Sequence, residues 1–96
     1  VSAATNCAAE NDGVREFLAD YRRRRTASLV ERLERAVSEG ELRTETDAQV
    51  LGDYYATVLH GLSVQARDGV SRKRLLATIP TAMTAVQLAS APPVDL

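Results

Sequence analysis

Ninety-six residues allow one domain with a modest core. A net charge of −1 gives no bulk attraction to nucleic acid or to an anionic membrane. One cysteine, Cys7, excludes an internal disulfide and fits a reducing, cytoplasmic compartment. No apolar run approaches the roughly 20 residues that span a bilayer. Val1-Ser2-Ala3-Ala4 has neither the basic start nor the apolar stretch of a signal peptide. With Met83 as the sole methionine, the natural start is expected upstream of Val1.

No segment alternates apolar and polar residues over a strand length, so the chain reads as all-α. Residues 1–10 are Ala-rich and predict the last turns of a helix. Asn11-Asp12-Gly13 predicts a turn, with Asp12 or Gly13 capping the next helix.

That second helix is expected over 13–39, about 40 Å long. Val14, Phe17, Leu18, Tyr21, Ser28, Leu29, Leu33, Ala36 and Val37 recur at helical spacing. Asp20/Arg24 and Glu31/Arg35 are i,i+4 pairs with the acid first, which supports an exposed face. Gly40 stands where a left-handed cap is expected, and Leu42 can fold back onto the last turn.

Thr46-Asp47-Ala48-Gln49 has the form of a capping box, with Thr46 as N-cap and Gln49 reaching back. The helix it opens, 46–68, carries Val50, Leu51, Tyr54, Tyr55, Val58, Leu59 and Leu62. Their arc covers about half the circumference, which calls for two packing partners. Asp68-Gly69 ends the helix and Ser71 caps the last one, 71–90. Pro80 lies inside that last helix and should kink it at Leu76–Pro80. The tail from Ala91, with Pro92 and Pro93, should fray.

Chemistry is thinly provided. His60 is the single histidine, without a Cys or second His at metal-ligand spacing, so a solvated histidine is expected and no metal site. Nothing suggests the convergent groups of a catalytic triad. The expectation is no enzyme, no cofactor and no catalytic residue. Arg22-Arg23-Arg24-Arg25 is the densest charge run, but at 100° steps the four point in four directions and form no single patch. Arg25 alone falls on the Tyr21/Leu29 side, where it can snorkel or pair in a pocket. Gly52 and Gly61 each cost a helix interior about 1 kcal/mol relative to Ala. Gly52, next to Asp53 on the exposed side, reads as neutral. Gly61 is expected at a close helix crossing, and the aromatic residues are expected in the core.

The segments Thr5-Asn6-Cys7-Ala8-Ala9-Glu10, Val14-Arg15-Glu16-Phe17-Leu18, Leu33-Glu34-Arg35-Ala36 with Glu39-Gly40-Glu41-Leu42, and Gly61-Leu62-Ser63-Val64-Gln65-Ala66-Arg67 occur in that order, before a Ser-capped final helix. In order and spacing the chain resembles the C-terminal regulatory domain of TetR/AcrR-family bacterial transcriptional repressors, without the N-terminal DNA-binding domain. The resemblance implies an antiparallel helical bundle whose last two helices pair with a second subunit as a four-helix interface. Tyr54, Val58, Gly61, Leu62, Gln65, Ile79, Ala82, Met83 and Val86 are the candidate interface residues. Asn6, Phe17, Tyr21, Arg25 and Tyr55 would wall part of a pocket for a small apolar effector. The DNA-reading helices have no counterpart, so no DNA-binding residue is expected here. The function implied is homodimerisation and part of effector sensing in a TetR-like regulator. A freestanding ligand-binding or dimerisation module unrelated to DNA regulation is the alternative.

Overall fold

The computed structural model describes residues 2–92, with side chains described from residue 11 on. It is all-α: α1 spans Ser2–Ser38, α2 Ala48–Arg67, α3 Arg72–Leu76 and α4 Ile79–Ala89. Asn6 and Cys7 therefore have a described backbone only, and the end of the predicted tail, from Pro93, lies outside the described residues.

The expected turn at Asn11-Asp12-Gly13 does not form, and two predicted helices are one. Gly13 takes no left-handed dihedral; among the described glycines only Gly40 and Gly69 do. The flanking residues are good helix formers, and Asp12 pairs with Arg15 one turn on, at 3.5 Å. A 37-residue helix is about 55 Å long.

The end of α1 follows its sequence signals. Gly40 has φ +82°, Glu41 N–H donates to the Ala36 carbonyl at 2.9 Å, and Leu42 folds back to 5% exposure. The start of α2 differs from the capping box. Asp47 is the N-cap, and its Oδ1 accepts from the Val50 N–H at 3.1 Å. Thr46 is held in a preceding turn by its N–H to the Arg43 carbonyl, 3.0 Å. A carboxylate also suits the positive end of the helix. Gln49 turns to Asp53 instead, at 3.0 Å.

Ser71 caps α3 as expected, its Oγ accepting from Arg74 N–H at 3.2 Å. The predicted kink is a break. Pro80 has no N–H to offer Leu76, so α3 stops there, and Pro80 sits in the first turn of α4, where no such bond is needed. Ala77 (φ −65°, ψ −18°) and Thr78 (φ −81°, ψ −17°) keep near-helical dihedrals across the junction. The expected fraying at Ala91 is also absent. Ala91 N–H donates to the Glu41 carbonyl at 3.1 Å and Arg43 N–H to the Ala89 carbonyl at 2.8 Å. This short antiparallel bridge, Leu42 to Ser90, ties the end of α4 to the end of α1.

The core sits at that tied end. Leu33, Ala36, Leu42, Ala48 and Leu51 are its buried centre, with Leu29, Tyr55 and Val86 packed around them. α2 lies between α1 on one side and α3 and α4 on the other. α1 and α2 approach each other closely at Val30 and Gly52. A Cβ on Gly52 would run into the Val30 side chain, and it would lie 3.4 Å from Val30 Cα. Gly52 is therefore buried and needed for packing, not neutral and exposed. Gly61 is expected at a close crossing with a second subunit; within one chain, a Cβ placed on it would meet nothing within 4 Å among the described residues. The Cα extents are 72 × 30 × 13 Å, so the shortest axis has room for no more than two packed helices.

Candidate functional site

Along its contact with α3, α2 keeps an open groove on either side of Leu62 and Leu75, and the candidate interface residues divide between them. On one face Val58, Gly61, Leu62 and Gln65 line a shallow groove with Leu75 and Thr78, of about 310 Å³. Tyr54 is 41% exposed and stands edge-on to Tyr55, ring centroids 5.0 Å apart. On the other face Leu62, Ser63 and Ala66 meet Leu75, Leu76 and Ile79 around a more apolar groove of about 470 Å³. Ile79 and Met83 are exposed.

Two of the candidates belong elsewhere. Ala82 is buried at 8% exposure, and Val86 packs against the core. The cause is Tyr55. Its hydroxyl donates to the Ala82 carbonyl at 2.7 Å and accepts from the Val86 N–H at 3.1 Å. That grip turns the Ala82/Val86 side of α4 onto α2, inside the chain.

The candidate effector residues do not converge. Tyr55 is committed to α4. Tyr21 and Arg25 share a shallow groove with Arg24 and Ser28, on the surface of α1. Phe17 is 64% exposed. The physical reason lies in the phase of α1. Its lower half turns Val30, Leu33, Ala36 and Val37 toward the core. Its upper stripe, Val14, Phe17, Leu18 and Tyr21, has its own i, i+3, i+4, i+7 spacing and stays exposed. Nine positions separate Tyr21 from Val30, which is about half a turn out of phase. The side chain of Asn6 lies outside the described residues.

The arginine run also divides. Arg23 and Arg24 both reach Asp20, at 3.8 and 3.0 Å. Arg22 and Arg25 have no carboxylate within ion-pair distance among the described residues. With Thr26, they line a groove against Ala56, Thr57 and His60 of α2. Sequence reasoning missed this grouping because His60 and the arginines come together only through the α1–α2 crossing. The readable signal was the pair of glycines inside α2, of which Gly52 marks the crossing.

Among the described residues no group of His, Cys, Asp and Glu side chains could hold a metal ion. No helix among them is long and apolar enough to cross a membrane. Compared with family models, curated proteins and solved structures, the chain matches none of them.

Proposed function

We propose that this chain is a pairing module that completes its core with a second copy of itself, serving as the dimerisation part of a TetR-like bacterial transcriptional regulator. The observation that carries the pairing is the apolar surface that α2, α3 and α4 leave uncovered. The core is one small cluster, and no large side chain among the described residues is fully buried. Tyr54, Leu59, Leu76 and Met83 are each more than 40% exposed. A two-fold contact would cover one such face in both copies at once. It would bury roughly 1,200–2,000 Å² in total.

The regulatory part of the proposal rests on the sequence resemblance. The groove around Leu62, Leu75, Leu76 and Ile79 supports it in a limited way: its volume, about 470 Å³, lies within the range of small-molecule sites, about 300–1,000 Å³. That groove, and not the Phe17/Tyr21/Arg25 surface, is the better seat for a small apolar effector. The break between α3 and α4 favours the alternative, a pairing module without a regulatory role, because it interrupts one of the two helices that the resemblance pairs across the interface.

Light scattering at micromolar concentration tests the pairing. A mass of twice the 10.4 kDa chain is expected; a mass of one chain throughout overturns the reading. The regulatory role is tested on the encoding locus. A helix-turn-helix segment in frame ahead of Val1 supports it, and its absence leaves the freestanding module.

A further inference from the structure

We propose that Arg22, Arg25 and His60 form a binding site for a phosphate or phosphomonoester dianion, in the groove between α1 and α2. The Val30/Gly52 approach fixes how the two helices lie along each other. Residue numbers fall along α1 as they rise along α2, so four residues beyond Val30, Thr26 comes level with Ala56. Four further on, Arg22 comes level with His60. The groove there is lined by Arg22, Arg25, Thr26, Ala56, Thr57 and His60, with a volume of about 360 Å³. No carboxylate lines it.

The chemistry depends on the partners each cation already has. Arg23 and Arg24 are paired with Asp20. Arg22 and Arg25 are three apart on one helix, so their guanidinium groups sit on neighbouring parts of one face. Arg22 is half-buried, which lowers the solvent competition for its hydrogen bonds. A guanidinium offers a planar fork of donors that matches phosphate oxygens two at a time. His60 adds a ring N–H from the opposite helix. The hydroxyls of Thr26 and Thr57 donate to the Arg22 and Asp53 carbonyls, at 2.9 and 2.8 Å. They therefore offer acceptor lone pairs and are not counted as donors to an anion. Asp53, Glu31 and Glu34 line the adjoining groove, which shares Arg22, Thr26, Ala56 and Thr57, and there Asp53 takes the Gln49 amide at 3.0 Å. The site lies within one chain and does not depend on pairing.

The test is an NMR titration of the full chain with inorganic phosphate and, separately, phenyl phosphate, at ionic strength held constant with sodium chloride. The side-chain N–H signals of Arg22 and Arg25 and the ring signals of His60 should follow one saturable curve. Saturation by inorganic phosphate identifies the free ion as sufficient, and tighter saturation by phenyl phosphate identifies an ester; both support the site. R22Q/R25Q should weaken binding at least tenfold, and R23Q/R24Q by less than twofold. If R22Q/R25Q loses its helical circular dichroism, the exposed R25Q alone should still weaken binding several-fold. Shifts that never saturate, that spread over all arginines, or that R23Q/R24Q removes equally overturn the proposal.

Discussion

The Tyr55 hydroxyl holds both ends of one helical backbone pair: it donates to the Ala82 carbonyl and accepts from the N–H of Val86. Those two groups are i and i+4 in α4, the partners an undisturbed helix would give each other. The side chain thus bonds α2 to the backbone of α4, not to a side chain that could be exchanged.

Tyr55→Phe should cost only about 0.5–1.5 kcal/mol, because Val86 N–H and the Ala82 carbonyl are i,i+4 partners within α4 and stay satisfied without the hydroxyl. Tyr55→Ala should cost about 3–5 kcal/mol, since it also empties the space beside Ala85 and Val86. Urea unfolding followed by circular dichroism measures both. Equal losses would mean that the hydroxyl, not the ring, holds α4.

At the α1–α2 crossing, Gly52→Ala gains helix propensity but meets Val30. The net effect should be a loss of about 1–3 kcal/mol. Val30→Ala removes the obstacle, so the double variant should be more stable than the sum of the singles by about 1 kcal/mol or more. Strict additivity in a double-mutant cycle would separate the two residues.

Gly61 tests the pairing face. It has open space around it within the chain, so Gly61→Leu should leave the fold of one chain intact. At a crossing with a second copy it should overpack the contact and weaken dimerisation by roughly 1–3 kcal/mol per subunit. The dissociation constant by sedimentation equilibrium is the readout. An unchanged constant, together with a weaker dimer in Met83→Ala, would move the contact to the opposite face of α2.

Gly13 discriminates a turn from a continuous helix. It lies inside α1 with nothing within 4 Å of a Cβ position. Gly13→Ala should therefore stabilise the chain, by up to about 1 kcal/mol. Thermal unfolding would show the opposite sign if residues 11–13 formed the turn that their composition suggests.

The legible parts of the fold were those set by one or two neighbouring residues. Gly40 and Leu42 announced the end of α1, Asp68-Gly69 the end of α2, and Ser71 the cap of α3. Asn11-Asp12-Gly13 misled because turn residues only permit a turn, and the helix formers on both sides outweighed them. Thr46 and Asp47 are both good caps; the turn bond from Thr46 N–H to Arg43 decided between them. The candidate sites were less legible, because they depend on how helices lie against each other. Nothing in the sequence around Tyr55 tells that its hydroxyl reaches Ala82, and this one bond turned two expected surface positions inward. Arg22 and Arg25 could be placed on one side of a helix, but not opposite His60.

The bridge between Leu42 and Ser90 has a consequence for how the molecule opens. It joins residues half the chain length apart, so α4 cannot peel away from its own end without breaking Arg43–Ala89 and Ala91–Glu41 together. The α3 segment between Ser71 and Thr78 has no buried residue. It is a short flap secured at both ends, by Gly69 and Ser71 on one side and by the clasped α4 on the other. In deuterated water its amides should exchange early while those of Arg43 and Ala91 persist, so the link between α2 and α4 loosens before the seam does.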